Sequence, residues 1–196
     1  MYKLCKTEQS SKRQREIEKI LLGLMATKRF DDITVSEICE IAKMPRKAFY
    51  RYFDSKDGAL HALLDHNIID YHSFASVRPY REKRTLQGEF EEFFEFWKTR
   101  RSFLDAFHKS NMTGLLVQNS AGFAMGEFVN VKKFLSDEDD WMASQVFKFT
   151  VTGLMSIMIN WYLGGFCESV ADMAKAASRL VSKPLFGMLE KYGFEN

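Results

Sequence analysis

The chain has 196 residues, 46% of them hydrophobic and 28% charged, which excludes a disordered or collagen-like polypeptide and suffices for a buried core. Its formal net charge of +2 hides an asymmetry: residues 1–60 hold 13 Lys and Arg against 9 Asp and Glu, whereas residues 61–196 hold 15 against 17. A basic module followed by a nearly neutral, aromatic-rich body points to an anionic partner for the first part.

Three prolines and eleven glycines leave few obligate breaks, so an all-α fold is expected. Cys5, Cys39 and Cys167 are odd in number and far apart, which argues against a disulfide framework or a structural zinc site and for a reducing, cytoplasmic setting. Lys3, Lys6, Lys12, Arg13 and Arg15 precede no apolar run, so no secretory signal is expected. The uncharged stretch from Phe149 to Cys167 contains Thr150, Thr152, Ser156 and Asn160 and ends in Gly164 and Gly165. It reads as a buried or interfacial helix rather than a membrane span.

In chain order, Ile17, Ile20, Leu21, Leu24 and Met25 recur at helical spacing and predict an amphipathic helix from Ser11 to about Lys28. Thr34 and Glu37 form the pattern of a capping box, so a second helix starts at Thr34, with Val35, Ile38, Ile41 and Ala42 inward. Pro45 disfavours helix at Met44 and suits the first turn of a third helix, Arg46–Phe53. That helix turns Phe49 and Phe53 to one side and Arg46, Lys47, Tyr50 and Arg51 to the other. Ser55 caps a fourth helix carrying Leu60, Leu63, Leu64, Ile68 and Tyr71. Two short helices joined by a turn, the second presenting Arg, Lys and Tyr, describe a helix-turn-helix DNA reader.

Thr34, Val35, Ile38 and Ala42, then Phe49, Tyr50, Arg51, Tyr52, Phe53, Ser55, Lys56 and Leu60, resemble the DNA-binding module of the TetR/AcrR family of transcriptional regulators over roughly residues 10–60. The resemblance implies a homodimer on a double-stranded operator with an inverted repeat, usually a repressor released by a small-molecule effector. It places Arg46, Lys47 and Arg51 at or near base-edge positions and Ser36, Tyr50, Tyr52 and Lys56 on phosphate positions. The family often has glycine where this chain has Arg29, Lys43 and Lys47, and serine where it has Pro45. A turn of different shape is therefore expected at Lys43.

Beyond Val77–Tyr80, Thr85–Lys98 predicts a helix with Phe90, Phe93, Phe94 and Trp97 inward and Glu89, Glu91, Glu92 and Glu95 on a solvated face. Phe90, Phe94, Trp97, Phe107, Met112, Phe123 and Met125 are candidates to line an apolar effector pocket. Two long helices are expected, from about Asp139 to Leu163 and from Ser169 to Tyr192. Met155, Ile159, Ala174 and Ala177 are candidates for a twofold four-helix interface.

His61, His66 and His72 lack the spacing of a helical metal site, and no catalytic triad, P-loop or dinucleotide fingerprint is found. No metal, cofactor or enzymatic activity is expected. The sequence thus predicts residues 1–55 as a helix-turn-helix domain and residues 56–196 as a helical ligand-sensing and dimerisation domain. The alternative is a coactivator or adaptor of the same fold whose body binds another protein.

Overall fold

The computed structural model describes residues 2, 3, 5, 7–77, 85–120 and 140–182. These contain α1 (Glu8–Met25), a 3₁₀ turn (Phe30–Asp32), α2 (Val35–Ile41), α3 (Arg46–Phe49), α4 (Lys56–Ser76), α5 (Leu86–Thr99), α6 (Arg101–Lys109), α7 (helical residues 113–120), α8 (Asp140–Leu163) and α9 (Val170–Ser182). Among the described residues there is no strand, only an isolated antiparallel bridge between Tyr2 and Phe53. The fold is all-α, as the sequence predicts.

Two compact units divide the chain, one from residues up to Val77 together with Arg101–Gly114, the other from the remainder. In the first, the apolar stripe of α1 (Ile17, Leu21, Met25) is fully buried, and α4 and α6 pack on α1. Packing and polar pairs act together here. Arg15 Nη2 meets Asp70 Oδ1 at 2.9 Å, and Ser110 Oγ, just after α6, donates to the Met25 carbonyl at 3.1 Å. Phe103 and Phe107 of α6 stack at 4.5 Å. The compact unit holding the helix-turn-helix therefore extends past residue 55, because α4 and α6 complete its core.

In the second unit, α5 packs chiefly on α9 and also on α8. Phe90, Phe94 and Trp97 are buried as expected, and Phe96 joins them. The four α5 glutamates are half-buried rather than fully solvated. Phe94 meets Trp161 edge-on at 5.6 Å, a favourable aromatic geometry.

Side-chain caps start the helices where hydroxyls precede them. Ser55 Oγ accepts from the Gly58 N–H at 3.1 Å, Thr85 Oγ1 from Gly88 at 3.1 Å and Ser169 Oγ from Asp172 at 3.1 Å, each satisfying an otherwise orphaned donor. Thr7 does the same for Ser10, so α1 begins at Glu8 rather than Ser11.

Three helices end in one motif. After α2, the Met44 N–H reaches the Cys39 carbonyl and the Lys43 N–H the Glu40 carbonyl, with Lys43 at φ 50. Met112 and Asn111 repeat the pattern after α6, with Asn111 at φ 57, and Phe166 and Gly165 after α8, with Gly165 at φ 80. This pair of bonds satisfies the last carbonyls and requires a left-handed residue, ordinarily glycine. Phe166 closes the α8 end by packing on Trp161, ring to ring at 4.6 Å.

The turn at Lys43, expected to take a different shape, is thus the helix end that glycine ordinarily forms, and the lysine carries the strain. Replacing it by glycine should stabilise the protein by about 1 kcal/mol, or raise its thermal midpoint by roughly 3 °C. Lys43→Ala, which keeps a Cβ in the left-handed conformation, should give no such gain in the same unfolding scan.

Candidate nucleic-acid interface

The interface is built on α2, the Lys43 turn and α3, all held from behind. Thr34 Oγ1 accepts from the Glu37 N–H at 3.2 Å, but Glu37 does not return the bond: its carboxylate pairs with Lys28 Nζ at 2.5 Å. Only half of the expected capping box forms, because the cation just past α1 is the better partner for a carboxylate. At the other end of α2, Arg13 Nη2 donates to the Ala42 carbonyl at 2.7 Å. Ile38, Cys39 and Ala42 are buried, while Ile41, expected inside, is exposed because it lies about 100° around the helix from their mean direction. Burial raises the Cys39 thiol pKa, so this cysteine is kept neutral and serves packing.

Regular α3 ends at Phe49 rather than Phe53. The N–H groups of Arg51 and Tyr52 turn to the carbonyls three residues back, and the chain tightens into a turn. Even so, Phe49 and Phe53 are 0% exposed, and their rings lie 5.2 Å apart. With that side fixed inward, Arg46, Lys47, Tyr50 and Arg51 are all exposed. Arg46 Nη2 lies 3.4 Å from Tyr50 Oη, one turn along the same face. Ser36 is exposed near the start of α2, and Tyr52 is half-exposed. These groups form a donor-rich surface of guanidinium, ammonium and hydroxyl, the chemistry that meets guanine edges and phosphate oxygens.

Lys56 is placed differently from its expected phosphate role. Its Nζ donates to the carbonyls of Phe30 at 2.6 Å, Ile33 at 2.8 Å and Asp31 at 3.2 Å, and it lies 4.3 Å from the centroid of the Phe30 ring. All three ammonium protons are engaged. The residue pins the 3₁₀ turn to the start of α4.

Residues 22–63 match the family model described as bacterial regulatory proteins, tetR family. The amino-terminal module is of the tetR family. Solved structures extend the likeness in fold to the rest of the chain. A tetR-family transcriptional regulator from Streptomyces coelicolor superposes with a TM-score of 0.57 at 17% identity, covering 93% of this chain and 85% of that one. The dihydroxyacetone kinase operon activator DhaS gives 0.54 at 16%, covering 94% and 98%. The fatty acid degradation regulator FadR from Bacillus halodurans gives 0.52 at 14%, covering 88% and 96%. No protein of curated function matches the sequence. The tetR-family module carries its helix-turn-helix on the residues the sequence motif marks.

Of the remaining candidates, Phe90, Phe94 and Trp97 lie in the second unit and Phe107 and Met112 in the first, where α6 packs on α1; Phe123 and Met125 lie outside the described residues. Met155, Ile159, Ala174 and Ala177, expected at a twofold interface, are buried within the chain itself, Ala174 and Ala177 on the helix that packs against α5. The exposed large apolar side chains of α8 are instead Trp141, Met142, Val146 and Phe149, the last 82% exposed, with Leu163 at its end. The α8 segment Trp141–Leu163 is by length and composition apolar enough to cross a membrane, but its Leu154, Met155, Met158, Ile159, Trp161 and Tyr162 are buried in the protein.

One buried polar pair was not foreseen. Glu18, 1% exposed, has both carboxylate oxygens within 2.9 Å of His66 Nδ1. Its signal was present in the sequence: Gln14 and Glu18 are polar residues at i and i+4 inside the apolar stripe of α1, which demands a polar partner across the interface. Among the described residues no acidic, cysteine and histidine cluster fit for a metal occurs.

For Lys56 the geometry makes a distinct forecast. Lys56→Met should lower stability by about 2 kcal/mol through the loss of charged hydrogen bonds, measured by denaturant unfolding. An unchanged unfolding midpoint with a reduced salt slope in DNA binding would restore the phosphate role.

Proposed function

We propose that this protein is a sequence-specific DNA-binding transcriptional regulator that works in the cytoplasm as a homodimer, representing the repressor type released by a small apolar or aromatic effector. The observation that carries the reading is the exposed Arg46, Lys47, Tyr50 and Arg51 surface on a helix whose opposite side, Ala48 and Phe49, is buried, within a module matched to a family of regulatory proteins. Arg46, Lys47 and Arg51 read base edges; Ser36, Tyr50 and Tyr52 hold phosphates. The functional division falls near residue 55, the DNA contacts before it and the sensing and dimerising surfaces after it.

The homodimer is supported by the exposed apolar side chains on α8. Met142, Val146 and Phe149 follow one another at i, i+4 and i+7, which puts them on one stripe, and each is more than half exposed in the single chain. A second copy presenting the same stripe would bury both. The sensing role rests on the aromatic side chains of α5, Phe90, Phe94 and Trp97, in the second unit. A ligand bound there represses or derepresses only through a difference in affinity for the DNA-competent form.

The DNA assignment is tested by selecting duplexes from a random pool and titrating binding against salt. The selected site should be an inverted repeat whose half-sites lie about 34–36 Å apart, or a multiple of that distance, to match two α3 helices in the major groove. Arg46→Ala or Lys47→Ala should cost roughly 1–3 kcal/mol of discrimination between that site and random duplex. A wild-type protein without preference for any duplex would remove this reading.

Dimerisation is tested by Phe149→Glu, which should convert the dimer to a folded monomer in sedimentation equilibrium, because a carboxylate cannot enter an apolar interface unpaired. A wild-type chain that is monomeric by the same measurement would move the α8 stripe to the adaptor reading, in which it receives another protein.

A further inference from the structure

Before α1, a short extended segment ties together three parts of the first unit. The Lys3 N–H donates to the Tyr52 carbonyl at 2.9 Å, beside the bridge between Tyr2 and Phe53. Lys3 Nζ donates to the Tyr50 carbonyl at 2.9 Å and lies 3.9 Å from Asp54 Oδ1. The Lys3 carbonyl in turn accepts from Gln14 Nε2 of α1 at 3.2 Å. Gln14 is a buried residue, and its Oε1 accepts from Cys5 Sγ at 3.2 Å. One lysine thus uses its amide, its carbonyl and its ammonium to join the exit of α3 to α1.

Tyr2 extends the tie to α4. Its ring lies 5.9 Å from that of His66. Burial first, then the Asp65 and Glu18 carboxylates, push the phenol pKa up to about 12, so the hydroxyl stays protonated throughout the physiological range. His66 itself is held by Glu18 of α1. The segment 2–3 therefore closes a circuit through α1, α4 and the end of α3.

A four-residue helix has no stiffness of its own, since helix nucleation is unfavourable and so short a helix lasts only while its surroundings hold it. Phe49 and Phe53 fix which side of α3 and its exit turns inward, and hydrogen bonds to the backbone of the exit add the angular restraint that ring packing lacks. The carbonyls of Tyr50 and Tyr52, just past the last residue of α3, both accept from Lys3. Regular helix stops at Phe49 where this pairing begins. We propose that Lys3 is a positioning residue for DNA reading: with Tyr2 it straps the exit of α3 to α1 and α4 and so sets the angle at which Arg46, Lys47 and Tyr50 are presented. This role rests on the DNA-reading assignment proposed above.

The test uses the full chain with Lys3→Met, Lys3→Arg and Tyr2→Ala, which removes the ring that meets His66. In the DNA-free protein, amide hydrogen exchange at residues 50–53 should quicken in Lys3→Met, return toward wild type in Lys3→Arg and quicken to a lesser degree in Tyr2→Ala. On the selected operator Lys3→Met should lose about tenfold in affinity, with less loss on random duplex and an unchanged salt slope, since no phosphate contact is removed. Lys3→Arg should recover most of that loss. Equal losses on both duplexes with a salt slope lower by about one would make Lys3 a phosphate ligand and overturn the strap. Wild-type exchange and wild-type discrimination in Lys3→Met would overturn it as well. A wild-type chain that prefers no duplex would instead bring down the DNA assignment, and the positioning role with it.

Discussion

The proposed DNA-reading surface depends on one packing constraint, the burial of Phe49 and Phe53 on the inner side of a helix only four residues long and its exit. Intrinsic propensity cannot hold such a helix, so its orientation belongs entirely to the groups that anchor it. Two aromatic rings inside leave Arg46, Lys47, Tyr50 and Arg51 no direction but outward. The positive-φ turn at Lys43 sets where α3 begins, Arg13 holds the end of α2, and Lys56 holds the 3₁₀ turn that precedes α2. Arg13 and Lys56 are both cations aimed at backbone carbonyls near a helix end or turn, where partial negative charge accumulates.

This use of cations separates two populations of basic residues that composition alone merges. Lys28, Arg13, Arg15 and Lys56 are committed to carboxylates or carbonyls within the first unit, whereas Arg46, Lys47 and Arg51 stand exposed on and just after α3. The excess positive charge of residues 1–60 is thus only partly a nucleic-acid signal; the rest is architecture. In the second unit the same distinction applies to apolar residues. The inner side chains of α8, Met155, Met158 and Ile159, are consumed by the chain's own core, while Met142, Val146 and Phe149 are not.

Much of the site was legible because it is local. The Thr34 cap, the Ser55 cap, the inward Phe49 and Phe53 and the outward basic residues all follow from spacings within about one helical turn, where geometry is fixed by the helix itself. The errors fell where a residue chooses between a local and a distant partner. Glu37 could cap its own helix or pair with Lys28, and the pairing won. Lys56 could reach outward or turn to three carbonyls some 25 residues back in sequence, and the carbonyls won.

The amino-acid sequence by itself determined the all-α class, the helix-turn-helix with its family motif, the helix ends at Thr85, Gly165 and Ser169, and which face of α3 carries charge, because each depends on residues within a few positions of one another. Only the tertiary structure decided that Phe107 belongs to the same unit as α1, that Met155 and Ala174 belong to the interior, that Glu18 has His66 as its partner, and that Lys3 reaches the end of α3. Helical periodicity reports that a side chain turns inward; it carries no information about which distant element covers it, and that choice is made by the packing of the whole chain.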